Sequence, residues 1–112
     1  MEAHVRAFNA GVQSGDWDPM LARFADDAEL HFENVAAGPF LGLEEIRRAY
    51  REQPPDDQIL LLGIQDEKDR VVAAFAWARG GTGRLLMEHD QGTVTKLTVV
   101  FDTGVGSTEP DK

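Results

Sequence analysis

Residues 70–102, RVVAAFAWARGGTGRLLMEHDQGTVTKLTVVFD, contain three apolar runs separated by two short polar segments. The runs are rich in β-branched and aromatic residues, which are typical of strands. The segments between them, RGGTG and DQG, supply the Gly and Asp residues that tight turns need. A similar run, QILLLGI at 58–64, precedes them across the segment DEKD. We therefore predict four strands in the second half of the chain, of which the last three form an antiparallel meander.

The first half of the chain begins with a helical pattern. Apolar residues recur at spacings of four, three and four, as on one face of an amphipathic helix: Met1, Val5, Phe8 and Val12. Gly15 is expected to end this helix in a left-handed conformation. Asp18 and Pro19 then predict the N-cap and first turn of a short second helix.

A first strand and a third helix follow. The segment ELHFENV at 29–35 alternates with period two, which predicts a strand. On this strand His31 and Glu33 share one face, opposite Leu30 and Phe32. The third helix is predicted to start near Leu43, and Pro54 and Pro55 end it abruptly.

The predicted order is thus helix, helix, strand, helix and four strands. This order indicates an α+β domain in which three helices from the N-terminal half pack on one face of a bent antiparallel sheet. At 112 residues the chain is expected to form one domain over 1–102. The segment 103–112 has no large apolar residue beyond Val105, and we expect a flexible tail.

Composition excludes several function classes. Eleven Lys and Arg against twenty Asp and Glu give a net charge of −9, which repels nucleic acid. No apolar run approaches the roughly 20 residues that span a bilayer. Nothing resembles a secretory signal, and we expect a cytoplasmic protein without a membrane partner. The chain has no cysteine, which removes thiol chemistry, and we expect neither a metal nor a cofactor.

Three segments carry a family resemblance: FNAGVQSGDWDPMLARFADDAELHF at 8–32, GLEEIRRAY at 42–50 and HDQGTVTKLTVVFD at 89–102. With the element order, they resemble the nuclear transport factor two-like superfamily, and within it the ketosteroid isomerase and SnoaL-like polyketide cyclase branch. The resemblance covers 3–102 and implies a cone-shaped sheet around a pocket. Because this scaffold hosts isomerases, cyclases, hydrolases and inactive modules, the fold alone does not assign a function.

The catalytic positions that this resemblance implies hold hydrocarbon side chains here. Phe8 stands where ketosteroid isomerase has its oxyanion-binding tyrosine, and Phe32 stands where it has its aspartate base. Its second acid falls near 84–86, which contain no Asp or Glu. The limonene epoxide hydrolase positions fall on AAFAW and near Val99. Since proton transfer needs a titratable group within hydrogen-bond reach, neither mechanism can run unchanged.

The inner faces of the predicted elements supply the candidates for binding a hydrophobic molecule: Phe8, Phe32, Asn34, Tyr50, Phe75, Trp77, Val99 and Phe101. Asn34 is the amide of this set, and it can bond a ligand carbonyl or close the loop after the strand. The alternative for the whole set is a filled core without a pocket.

Four titratable residues are weaker candidates for catalysis. His31 and Glu33 can act as a base only if a bulge turns their face inward. Glu88 and His89 are neighbours on the penultimate strand, so one of them should face inward. Their alternative is an exposed pair beside the turn DQG. The set of His31, Glu33 and His89 also matches a two-histidine, one-carboxylate iron site, but the outward face of the first two argues against it.

The opposite face of the sheet carries small residues, with Val72, Ala74 and Ala76 on one strand and Thr98 and Val100 on another. Superfamily members commonly dimerise through this sheet, so the resemblance implies a homodimer.

Two functions remain open. One is a ketosteroid isomerase-like or SnoaL-like protein with a hydrophobic pocket for a small, cyclic organic molecule, with or without cofactor-free acid/base isomerase, cyclase or hydrolase activity. The alternative is a non-catalytic ligand-binding or dimerisation domain.

Overall fold

The structure, a computed structural model, describes residues 1–102, and the predicted tail at 103–112 lies outside the described residues. The elements follow in this order: α1 Glu2–Ser14, α2 Asp18–Leu21, β1 Phe24–Glu33, β2 Phe40–Leu41, α3 Leu43–Glu52, β3 Ile59–Asp66, β4 Val71–Trp77, β5 Thr82–Asp90 and β6 Thr93–Phe101. The predicted α+β class, with three helices in the N-terminal half, is confirmed.

All six strands form one curved sheet in the order β2-β1-β6-β5-β4-β3. Strands β3 to β6 pair antiparallel with their neighbours in sequence, as the turn segments predicted. Strand β1 pairs antiparallel with β2 but parallel with β6. The sheet is therefore mixed, because the chain leaves β1 through α3 and returns to its side only with the last strand.

The first strand is longer than predicted. It begins at Phe24, and its pairing with β6 is irregular between Phe24 and Glu29. This irregularity hides the strand in the sequence, since the period-two alternation starts only at Glu29. Strand β2, which was not predicted, pairs two residues of the following loop with Glu29 and Leu30.

The helix ends follow local chemistry. Gly15 has φ of 81° and its N–H donates to the Gly11 carbonyl at 2.8 Å, which ends α1 as expected. Asp18 is the first residue of α2 rather than its cap. The Asp18 N–H instead donates to Oδ1 of Asp16 at 3.1 Å. Between the two helices, the Trp17 ring lies directly against Gly11, at the place that a Cβ would occupy.

The core lies between the helices and the concave face of the sheet. Its largest fully buried side chains come from α2, α3 and three strands: Phe75, Met20, Leu30, Ile46, Leu97 and Val94. In β1, Leu30 and Phe32 pair in register with Leu97 and Val99 of β6 on this face. The opposite face carries His31 and Glu33, as the alternation predicted.

Candidate functional site

A cavity of about 180 Å³ remains open inside the core, between α1, α3 and the concave face of the sheet. Six of the eight side chains proposed from the sequence for ligand binding line it: Phe8, Phe32, Tyr50, Trp77, Val99 and Phe101. Aliphatic side chains such as Leu30 and Leu85 complete the wall. The cavity is therefore lined mainly by hydrocarbon.

Aromatic rings form one side of the cavity as a connected series. Trp77 stacks on Phe101 with ring centroids 5.6 Å apart and an interplanar angle of 17°. Phe101 lies 6.3 Å from Phe32, which in turn contacts Phe40 edge-on at 6.1 Å. Phe8 of α1 reaches Trp77 at 6.4 Å. Rings packed in this way, stacked at one contact and tilted or edge-on at the others, form a continuous aromatic wall.

The mouth of the cavity lies where the loop after β1 faces the end of α3. Ala37 and Gln53 line the cavity and are exposed, and Pro55 beside them is half-buried. Gln53 places an amide at the entrance.

Two proposed ligand-binding residues lie elsewhere. Phe75 is fully buried beneath Trp77, with the rings edge-on at 5.1 Å, and belongs to the packed core. Asn34 is exposed and has φ of 72°, and its Nδ2 donates to the Phe101 carbonyl at 2.7 Å. It closes the end of β1 against β6, which was the alternative considered for this amide.

None of the four candidate catalytic residues lines the cavity. On the convex face, His31 Nε2 lies 2.8 Å from Glu29 Oε1, and Glu33 is exposed. Glu88 and His89 are also exposed, at an irregularity in the pairing of β5 with β6. Within residues 1–102 no three His, Cys, Asp or Glu side chains are grouped as metal ligands would be.

His4, which was not predicted from the sequence, lies at the cavity together with the titratable Tyr50. It lies one helical turn before Phe8 and is only 2% exposed. Its ring packs edge-on against Phe24 at 5.5 Å, and it lines the cavity. Among the described residues, no hydrogen-bond partner reaches its Nδ1. A partnerless ring nitrogen inside an apolar core is uncommon, since burial of an unpaired polar atom is costly.

Burial is the main cause that lowers the pKa of His4 from 6.5 to about 4, and the positive charges of Arg23 and the N-terminal ammonium contribute to the same shift. The imidazole is therefore neutral at pH 7. Burial also raises the pKa of Tyr50, which keeps its phenol protonated. The cavity thus offers one neutral imidazole and one phenol, and within 1–102 no carboxylate lines it.

Comparisons with known proteins agree with this architecture. TerC co-crystallised with polyporic acid superposes with a TM-score of 0.70 at 19% identity, over 91% of this chain and 91% of TerC. A SnoaL-like protein of unknown function from Burkholderia thailandensis E264 gives a TM-score of 0.72 at 19% identity, over 88% and 90% of the two chains. An NTF2-like protein of unknown function from Burkholderia pseudomallei K96243 gives a TM-score of 0.70 at 16% identity, over 91% of this chain and 90% of that protein.

No curated protein matches the sequence. Among residues 1–102 there is no helix of the length and apolarity needed to cross a membrane. The family profile described as SnoaL-like domain matches residues 5–103, almost the whole described chain. Together with the helices packed on a curved six-stranded sheet, this match shows that the chain belongs to the SnoaL-like domain family.

Proposed function

We propose that this protein binds a small, cyclic, largely apolar organic molecule in its central cavity. The observation that carries the proposal is the open volume of about 180 Å³ enclosed by aromatic and aliphatic walls. A filled core would leave no such space, since protein interiors are close-packed. An apolar cavity of roughly 150 Å³ is known to hold benzene, so the size fits a ligand with one ring.

The size and the lining argue against the reaction of ketosteroid isomerase. Pockets for larger ligands usually measure about 300–1,000 Å³, and a four-ring steroid exceeds the space found here. The two positions that would carry the isomerase's donor and base hold Phe8 and Phe32, both of which line the cavity. Binding therefore has direct support in the structure, whereas inherited isomerase chemistry has none. TerC, crystallised with polyporic acid, is a protein of this fold that has been studied with an organic ligand.

The test is titration with p-xylene, a one-ring apolar probe, followed by ¹H–¹⁵N NMR of cavity amides. We expect saturable shifts on residues around the cavity. In Ala49→Phe, a larger side chain on a lining residue of α3 fills the space, and the shifts should vanish. The matched control is Ala10→Phe, which places the same ring on the exposed side of α1 and should bind like the parent. Failure of the parent protein to bind would refute the proposal.

We also propose that a second copy of this chain covers the convex face of the sheet. Ala74 of β4 and Leu60 of β3 are exposed on this face and form the apolar area available to a partner, whereas Val100 and Thr98 are only 3% and 7% exposed. Across the register, Val100 is flanked by Arg84 on one side and Glu33 on the other. A two-fold axis through this area can bring each Arg84 towards Glu33 of the other copy, which gives charge complementarity.

Sedimentation equilibrium tests this assembly. Ala74→Glu adds a charge at an exposed position of β4 on the convex face, and we expect it to convert the dimer to a monomer. Ala10→Glu, an exposed alanine on α1, is the matched control and should sediment as the parent does. A parent protein that is monomeric at high micromolar concentration would refute the dimer and leave the binding proposal intact.

A further inference from the structure

We infer that His4 is the hydrogen-bonding anchor of the cavity and that the ligand carries a hydroxyl group on its ring. This inference rests on the proposed binding function and names the class of ligand, a one-ring phenol or cyclic alcohol.

The imidazole of His4 is buried at the wall of the cavity. His4 is 2% exposed, lines the cavity, and has no hydrogen-bond partner at Nδ1 among residues 1–102. A buried polar atom without a partner is a cost that the empty protein bears. A ligand hydroxyl removes this cost only if it bonds to Nδ1 itself, and binding is then strengthened because an unpaired polar atom gains a partner.

The hydrogen-bonding capacity of the imidazole favours a hydroxyl group as its partner. A neutral imidazole has one donor nitrogen and one acceptor nitrogen, and the tautomer can be either. A hydroxyl both donates and accepts, so it satisfies the ring in either tautomer, whereas a carbonyl or ether can only accept. A carboxylate would have to be desolvated in a chamber walled by hydrocarbon, which is costly. The net charge of −9 also disfavours an anionic ligand.

A ligand can reach Nδ1 of His4 only if the imidazole moves. Nδ1 itself is buried in the empty structure, so contact requires the ring to turn about χ2, a torsion with a broad energy profile in histidine. The Phe24 ring packed edge-on at 5.5 Å presents an apolar surface that does not hold the imidazole by a hydrogen bond. The other cavity residues with polar side-chain atoms are Tyr50, Gln53 and Trp77, whose indole N–H can only donate. Gln53 lies at the exposed mouth, so Tyr50 and Trp77 are the rival anchors inside.

The experiment compares p-cresol with p-xylene, which differ by the exchange of one methyl for a hydroxyl. Dissociation constants for both are measured by NMR titration on the parent protein and on His4→Phe. Because the ratio of the two constants is compared between proteins, intrinsic differences between the probes cancel. We expect the preference for p-cresol to fall by about fivefold or more in His4→Phe, the value of one net hydrogen bond. His89→Phe makes the same exchange on an exposed histidine and should keep the parent ratio.

The outcomes separate this inference from the function on which it rests. If p-xylene binds but the ratio is the same in His4→Phe, the anchor is wrong and the binding function stands. If neither probe binds the parent protein, both proposals are overturned. If Tyr50→Phe abolishes the preference while His4→Phe retains it, the anchor is Tyr50 and the inference about His4 is wrong.

A second measurement keeps the test independent of how well the variant folds. The ¹⁵N shifts of the His4 ring are recorded on the parent protein with saturating p-cresol and then with p-xylene. We expect p-cresol to move the resonance of one ring nitrogen in the direction of hydrogen bonding and p-xylene to leave it in place. Identical spectra with both probes would overturn the inference.

Discussion

Asn9 of α1 clamps the first residue of β3 with both ends of its amide. Its Nδ2 donates to the Ile59 carbonyl at 2.9 Å, and its Oδ1 accepts from the Ile59 N–H at 2.8 Å. The side chain thus takes the place of a neighbouring strand at the free edge of the sheet. It also holds the helix that carries His4 and Phe8 against that edge, so the geometry of the cavity depends on it.

Replacing this amide should destabilise the protein. In Asn9→Ala the N–H and the carbonyl of Ile59 both lose their hydrogen-bond partners. Ile59 is only 7% exposed, so water replaces those partners poorly. We expect the free energy of unfolding to fall by about 1–3 kcal/mol, measured by urea denaturation. Gln13→Ala is the control, because Gln13 bonds Gln58 at 3.4 Å in an exposed position. A change below about 0.5 kcal/mol is expected there, and equal losses in the two variants would contradict the clamp.

Gly11→Ala should destabilise the protein although it lies inside a helix. Alanine normally stabilises a helix interior by roughly 0.5–1 kcal/mol relative to glycine. Here its Cβ would collide with the Trp17 ring, which is 7% exposed and has little room to move. We expect a loss of about 1–3 kcal/mol in thermal or urea unfolding.

The double variant identifies the cause of that loss. In a Trp17→Leu background the ring is gone, and Gly11→Ala should then be neutral or stabilising. If the loss persists there, contact with the indole is not its origin.

The buried imidazole should make stability depend on pH. The unfolded chain binds a proton at His4 below pH 6.5, whereas the folded protein does so only near pH 4. Stability should therefore be full above pH 6.5 and decline as the pH falls from 6.5 to 4. The lowered pKa corresponds to a loss of about 3 kcal/mol in the free energy of unfolding at the lower end of this pH range.

Denaturation curves of the parent and His4→Phe over this range isolate the contribution of His4. The difference between the two proteins should grow as the pH falls, with the variant becoming relatively more stable. A parallel pair of curves would show that His4 titrates normally. Arg23→Met should raise the pKa of His4, because removal of the positive charge favours the imidazolium.

Asn34 should matter for stability but not for binding. Asn34→Ala loses the bond to the Phe101 carbonyl and places alanine at φ of 72°, whereas Asn34→Gly loses only the bond. We expect alanine to cost about 1–2 kcal/mol and glycine less. Both variants should bind p-xylene as the parent does. A selective loss of p-xylene binding would instead assign Asn34 to the site.

The sequence predicted the fold well where the pattern is local. Alternation in ELHFENV correctly placed Leu30 and Phe32 on the concave face and His31 on the convex face. Turn residues predicted the meander. The parallel pairing of β1 with β6 was missed, because no local period reports which distant strand lies alongside.

The site was predicted in part, for a related reason. Parity shows that Phe75 and Trp77 share a face, but depth along a strand decides that Trp77 reaches the cavity while Phe75 packs beneath it. His4 was missed because only apolar residues were counted on the helical stripe. His4 lies four residues before Phe8 and seven before Gly11, which places the three on one face of the helix. This spacing was the signal in the sequence, and the structure shows that all three residues are buried.

The central place of β6 in the sheet order bears on how the chain is made. The last strand separates β1 from β5, so the first strand has no long neighbour until about residue 101 has left the ribosome. The chain between Glu33 and Thr93 must close into a loop before the pairing of β1 with β6 can stabilise the fold, and this slows folding. During synthesis Leu30 and Phe32 would remain exposed to solvent until β6 is made. Folding would become complete only after translation of the domain ends.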